Sequence, residues 1–241
     1  MGTLIKGITF DLWNTLLVEK NYTERRLSII YEALNSKDQT LHMDTLKTAY
    51  LTAQKRHDEL WSKEHRHYPL TERLDDILRD AGVSLSSKQK YEVMDKLGGT
   101  ILNNPPPLTE GTALTVSQLS KKFRLGVISD TGVTSGSKIR ELLDREGILG
   151  CFTVTVFSDE TGVCKPSWEA FDAALRGLGV EPDEAIHVGD LLRTDIAGAK
   201  AAGMRGVWLK VKEPDVEGVT PDYTITRINE LLKIPEIRNL V

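Results

Sequence analysis

An α/β fold, a parallel sheet with an all-helical stretch inserted after its first strand, is what the order of patterns along these 241 residues predicts. Three observations carry it. Short apolar runs rich in β-branched residues recur through the chain, helical-period segments separate the later runs, and a long charged stretch without strand pattern follows the first. Strands alternating with helices mean βαβ units, and hence a parallel sheet.

The expected strands cover 4–10, 124–129, 151–157, 185–189 and 206–211, and helices are expected at about 111–121, 136–146, 167–178 and 195–202, each near a glycine able to close it. Between them the helical period dominates. Charged stretches at about 19–35, 43–63, 70–81 and 86–101 define an all-helical domain, residues 17–104, set between core segments 1–16 and 105–241. Pro105-Pro106-Pro107 cannot continue a helix and marks the return to the sheet.

Composition narrows the function classes. With 31 Lys and Arg against 35 Asp and Glu, net charge −4, and no long basic block, nucleic acid is not the expected partner. Cys151 and Cys164 form neither a metal spacing nor a disulfide framework, which fits a reducing cytoplasm. No run approaches the roughly 18 apolar residues of a membrane span, and the start does not read as a signal peptide.

Four segments carry chemistry. The first is the strand-like run Ile5-Lys6-Gly7-Ile8-Thr9-Phe10, closed by Asp11 and the turn Leu12-Trp13-Asn14-Thr15-Leu16; open α/β sheets present reactive groups at this carboxyl edge. The second is Ile186-His187-Val188-Gly189-Asp190, with Asp195 five residues on near a helix start, so that a second strand brings a carboxylate to the same edge. Carboxylates about 4 Å apart repel by roughly 4 kcal/mol at an effective dielectric near 20, and a divalent ion relieves this. Oxygen-only ligands favour Mg²⁺ over zinc. The third and fourth segments are Gly126-Val127-Ile128-Ser129-Asp130-Thr131 and Val163-Cys164-Lys165-Pro166-Ser167-Trp168. A hydroxyl, backbone N–H groups and a lysine are what an anionic phosphoryl group requires.

In this combination and order the segments resemble the haloacid dehalogenase (HAD) superfamily of hydrolases, over both ends of the chain and the whole sheet. The resemblance implies a Rossmann-like core with the helical insertion as a C1 cap. It also implies Asp11 as nucleophile, Lys165 as the catalytic lysine, and Thr15, Ser129 and Asp130 together with Lys165 as phosphate ligands. The expected metal site is Asp11, the backbone oxygen of Trp13, Asp190 and Asp195, holding Mg²⁺. The activity so implied is hydrolysis of a small phosphorylated metabolite through an aspartyl phosphate on Asp11.

One position departs from the family pattern. Most phosphatases of the superfamily carry a second Asp two residues after the nucleophile, as general acid and then base, and Trp13 stands there. Acid/base help is worth about 10²- to 10⁴-fold. Two other readings follow: a 2-haloacid dehalogenase, whose family pattern also lacks that Asp, or a phosphate-binding protein without turnover. The Asp190/Asp195 pair, and Asp130 where dehalogenases usually have Asn, stand against the dehalogenase. A phosphonatase would need a Schiff-base lysine, for which Lys55 and Lys63 are available without distinguishing features. The missing acid could descend from the cap, where His57, Asp58, Glu59, Glu64, His65 and His67 gather beside Trp61 and Tyr68. Zinc at His65 and His67 lacks further ligands, and Gly132–Lys138 lacks the Gly-Lys-Ser/Thr of a P-loop.

Overall fold

The computed structural model describes residues 4–35 and 41–239; residues 1–3, part of the segment read for a targeting signal, lie outside them. Among the described residues six parallel strands form one sheet in the order β3-β2-β1-β4-β5-β6, with β1 Gly7–Phe10, β2 Arg124–Ser129, β3 Phe152–Phe157, β4 Ala185–Gly189, β5 Arg205–Leu209 and β6 Tyr223–Ile225. β1 is central and pairs with β2 on one side and β4 on the other, so Phe10 lies opposite both Val127 and Val188. Burial on both faces explains why Gly-Ile-Thr-Phe shows no alternation.

After β1 the chain leaves the sheet and comes back beside itself. Val18 N–H donates to the Pro107 carbonyl and Thr109 N–H to the Leu16 carbonyl, each at 2.9 Å. Between these stems lie α1 (Thr23–Asn35), α2 (Met43–Glu59), α3 (Leu70–Asp80), α4 (Ser87–Gly98) and the short α5 (Thr100–Asn103). Their apolar stripes bury a cluster of their own, including Leu27, Ile30, Leu46, Tyr50, Leu74, Ile77, Val93 and Leu97. Val133, from the loop after β2, is the sheet's contribution to that cluster. α4 starts where Ser86 and Gln89 form a reciprocal cap, two orphan helix donors satisfied at once.

The remaining helices, α6 (Thr112–Leu119), α7 (Gly136–Arg145), α8 (Ser158–Thr161), α9 (Trp168–Leu178), α10 (Ala197–Ala201) and α11 (Pro235–Arg238), connect or flank the strands. The main core gathers Ile8, Phe10, Leu12, Leu16, Val127, Ile139, Phe157 and Val188. A smaller one lies where α9 and α10 pack over Ile128 and Val156. No helix among the described residues is long and apolar enough to cross a membrane.

Three expectations need correction. The stretch expected as one helix over 43–63 is α2 followed by a π-helical turn, Leu60–Glu64, which ends at His65 with φ 51°. The helix expected at 195–202 starts earlier, with a π-helical turn Leu192–Ile196 leading into α10. β6 was not anticipated: three residues beyond the charged loop 212–221 carry too short a pattern, and only pairing with β5 makes them a strand.

Gly198, inside α10, faces Phe171 so closely that an added Cβ would lie 2.4 Å from the ring and 3.1 Å from the Pro166 Cα. Gly to Ala inside a helix ordinarily gains about 1 kcal/mol. Here the sign should reverse, Gly198→Ala costing about 1–3 kcal/mol through overpacking, as read by urea unfolding; a gain would show that the contact between α9 and α10 yields freely.

Candidate active site

Asp11, Asp190 and Lys165 each sit just beyond a strand or at a connection on the carboxyl side of the sheet, and β1 and β4 are neighbours, so the fold itself joins the first and last of the four segments. The turn after Asp11 is tight: Leu16 and Leu17 N–H both donate to the Leu12 carbonyl at 2.9 Å, and Asn14 takes φ 56° with its side-chain oxygen accepting from Glu19 N–H at 3.1 Å. Asn adopts this left-handed conformation at lower cost than other non-glycine residues.

A buried charge cluster forms the centre. Lys165 Nζ donates to Asp11 Oδ1 at 2.6 Å and to Asp195 Oδ1 at 2.7 Å, with every one of the three side chains nearly inaccessible to solvent. Asp195 Oδ2 accepts from Leu191 N–H at 2.9 Å, which also caps the turn behind Asp190. Gly189 is required here: a Cβ would stand 2.3 Å from the Asp195 carboxyl carbon. His187, unremarked in the sequence, lies beneath; Thr9 Oγ1 meets its Nδ1 at 2.8 Å, and its Nε2 stops 3.6 Å from Asp195 Oδ1, just beyond hydrogen-bond reach.

Burial and charge pull these groups apart. Burial raises Asp11 well above the usual carboxylate range, Lys165 opposing and Asp195 and Asp190 adding to the rise. Asp195 goes the other way: burial alone would raise it, yet Lys165 and then His187 hold it well below that range. Lys165 stays charged, since Asp11, Asp195 and Asp130 outweigh the effect of its burial. Asp190 is pushed up to about 6 by burial and by Asp195, with Lys212 Nζ, 3.4 Å from its Oδ2, pulling it back. Asp11, Asp190 and Asp195 each offer an oxygen within 4.8 Å of the others.

Above this cluster opens a cavity of about 520 Å³ lined by both the sheet loops and the inserted helices. Asp11, Trp13, Asp130, Lys165, Asp190 and Asp195 line it; Thr15 and Ser129 do not, being buried, with Thr15 Oγ1 lacking any hydrogen-bond partner. Asp130 is fully engaged: Oδ1 accepts from Lys165 N–H at 2.9 Å and Oδ2 from the Trp61 indole N–H at 2.8 Å. Trp61 is in turn covered by the Arg193 guanidinium, 4.0 Å above its ring centre. Of the acids and histidines gathered in the cap sequence, His57 and Asp58 reach the cavity, whereas Glu59, Glu64, His65 and His67 do not. Arg26, Arg73, Arg193 and Lys212 were missed, because a lone cation on a helix or loop carries no sequence signal until the fold turns it inward.

Lys165→Met would leave Asp11 and Asp195 buried with no counter-charge. Removing one member of a buried pair costs about 3–5 kcal/mol, and that deficit at neutral pH should shrink as pH falls through the acid range and the carboxylates take up a proton. The sign runs opposite in the wild-type chain for Asp195, whose depressed carboxyl adds stability above its unfolded value of 3.8 and loses it as pH falls. Urea titrations across that range measure both; a deficit indifferent to pH would remove Lys165 from the counter-charge role.

A family model described as haloacid dehalogenase-like hydrolase matches residues 5–203. The chain is 32% identical to the glyceraldehyde 3-phosphate phosphatase of Methanopyrus kandleri, over 96% of this chain and 97% of that protein. Its fold superimposes on an HAD phosphatase from Thermococcus onnurineus with a TM-score of 0.68 at 25% identity, covering 95% and 97% of the two chains. A 2-haloacid dehalogenase from Pseudomonas syringae gives a TM-score of 0.70 at 24% identity, covering 99% and 100%, a likeness of fold alone.

Proposed function

The chain belongs to the haloacid dehalogenase-like hydrolase family, and from that premise we propose that it is a phosphatase that opens small phosphate monoesters through a covalent aspartyl phosphate on Asp11, with the helices over 17–104 acting as its cap. The observation that carries the reading is the single Lys165 ammonium shared by Asp11 and Asp195 on the floor of the cavity. One carboxylate is thereby aimed and the other fixed.

The Asp11 oxygen not bonded to Lys165 attacks phosphorus, the bond to the alkoxide breaks, and the phosphoryl group resides on Asp11 until water attacks phosphorus and frees inorganic phosphate. Lys165 offsets the negative charge that gathers as phosphate approaches the carboxylate. Thr15, with its unpartnered buried hydroxyl, and Ser129 belong to the phosphate-holding turns in this reading. Asp130, both oxygens already accepting hydrogen bonds, serves the phosphate by holding the Lys165 backbone and Trp61 in position.

A divalent ion fits the residues present. Oxygen donors from Asp11, Asp190 and Asp195 converge, and Asp190 is raised by burial and by the neighbouring Asp195 charge, which a cation would offset. Asp11, the Trp13 backbone oxygen and Asp190 would hold Mg²⁺, with Asp195 completing the acidic set; such an ion supplies positive charge to the phosphoryl oxygens. Trp13 lines the cavity and carries no proton to give the leaving alkoxide. Asp58 on α2, with its Oδ1 accepting from Gln54 at 3.2 Å, is a carboxylate of the inserted segment that lines the cavity, as does Glu19.

Hydrolysis of nitrophenyl phosphate is expected to be detectable, to stop in EDTA and to be lost in Asp11→Asn; release of halide from 2-haloacids with activity untouched by EDTA would replace this reading with the dehalogenase. Mg²⁺ affinity should weaken as pH falls through about 6, since Asp190 must shed its proton to ligate, and calorimetric titration at several pH values checks the direction. Trp13→Asp should raise turnover of sugar phosphates, whose leaving groups need a proton, more than that of nitrophenyl phosphate. An equal loss on both would assign Trp13 to packing.

A further inference from the structure

Among the described residues, the buried side-chain atoms left without a hydrogen-bond partner are Thr15 Oγ1, Arg26 Nε, His57 Nδ1, Arg73 Nε and His187 Nε2. The three cap atoms in that set, from α1, α2 and α3, belong to residues that line the cavity. A buried donor left unmade costs about 1–3 kcal/mol, more when charged. Concentration of such atoms on one wall therefore calls for an acceptor from outside the chain.

The two arginines also lack ion-pair partners, although the Asp58 carboxylate acts on Arg73 from beyond ion-pair distance. Among the described residues neither Arg26 on α1 nor Arg73 on α3 has a carboxylate within ion-pair distance, whereas Arg56 on α2 and Arg79 on α3 both pair with Asp76. Arg73 is 2% exposed and is held by Gln54, which accepts from its Nη2. Arg26 donates from Nη2 to Thr134 Oγ1 at 3.1 Å, which leaves its Nε bare. His57 and Arg73 face the same core loop: a Cβ on Gly132 would lie 3.9 Å from the His57 ring and 4.0 Å from Arg73 Nη1. Burial, and for Arg73 the nearby Arg26, weakens the hold of both guanidinium groups on their protons. His57 is driven down to about 4 by burial, Arg73 and His67, so it is neutral and able to donate one hydrogen bond. An anion set among them would restore what burial removed.

We propose that Arg26 and Arg73, with His57 beside Arg73, form a second anion subsite in the cap, and that the substrate is a phosphate monoester bearing a further carboxylate or phosphoryl group at its other end. The proposal rests on the phosphatase reading for the reacting phosphate, while the subsite itself is a matter of binding. Guanidinium forks match both oxyanions through paired N–H donors. The cavity, about 520 Å³, has the size of a small-metabolite site, and Asp11, Arg26 and Arg73 all line it. A monoester whose far end is uncharged, such as glyceraldehyde 3-phosphate, would leave both arginines unsatisfied.

Binding decides it without turnover. Calorimetry with the intact protein compares propylphosphonate, 3-phosphonopropionate and propane-1,3-bisphosphonate, which share one phosphonate and differ in the far group. The expected result is that at least one doubly anionic ligand binds about 10- to 100-fold tighter than propylphosphonate, the range of one or two charge-assisted hydrogen bonds. The better of the two identifies the anion. Arg26→Gln and Arg73→Gln should each erase most of that preference while leaving propylphosphonate comparatively unaffected. In the activity arm, kcat/KM for 3-phosphoglycerate should exceed that for glyceraldehyde 3-phosphate, with the preference lost in the same variants. Equal affinity for all three ligands in the wild-type protein overturns the subsite whether or not the variants fold, and makes the arginines clamps between cap and core. Tight binding of a doubly anionic ligand with no hydrolysis of any ester would keep the subsite and remove the phosphatase reading.

Discussion

Everything at the carboxyl edge of this sheet is organised by one buried ammonium group. Lys165 reaches Asp11 and Asp195 at once, and the pair it satisfies comes from neighbouring strand ends, β1 and β4. Three charges withdrawn from water would be ruinous singly; together they satisfy one another within hydrogen-bond distance. The surroundings follow from that constraint. Gly189 has no Cβ because Asp195 occupies the space, Leu191 N–H turns in to donate to the second Asp195 oxygen, and His187 lies beneath the cluster with burial lowering its hold on a proton. Asp190 is the member left without a full partner, and its raised carboxyl records that.

The inserted helices are coupled to this edge through the loop after β2. Val133 is buried within their apolar cluster, Thr134 accepts from Arg26, and Asp130 accepts from Trp61 while also holding the Lys165 backbone. A shift of Trp61 would therefore reach Lys165 through a single carboxylate. The Arg193 guanidinium over the Trp61 ring closes the same contact from the β4 side, adding a cation–π attraction of about 0.5–2 kcal/mol. Cap and core thus meet over polar groups that belong to the cavity wall.

Position 13 shows how a backbone role and a side-chain role can separate. The turn from Asp11 to Leu17 keeps its hydrogen bonds with tryptophan in place, so the backbone oxygen of Trp13 remains where the turn puts it. The indole presents a large apolar surface to the cavity, with no carboxyl group at that place. Arg26, Arg73 and Asp58 of the inserted helices line the same cavity as the core residues, with Arg26 bonded to Thr134 and Arg73 close to Gly132 in the loop after β2.

The sequence determined the parallel sheet, the helical insertion after β1 and the convergence of Asp11, Asp190, Asp195 and Lys165, because hydrophobic period and strand-end motifs are local signals and neighbouring parallel strands must end at one edge. It also determined the loss of the acid at Trp13, a matter of identity alone. Tertiary structure decided the rest. β6 exists only by pairing with β5, and the π-helical turns at Leu60–Glu64 and Leu192–Ile196 depend on packing that no period encodes. That Asp130 joins Trp61 to the Lys165 backbone, one carboxylate oxygen to each, could not be read from its place beside Ser129, since Trp61 is distant in sequence. Arg26 and Arg73 carried no sequence signal, since a lone arginine becomes informative only when the folded chain turns it into a cavity without an ion-pair partner.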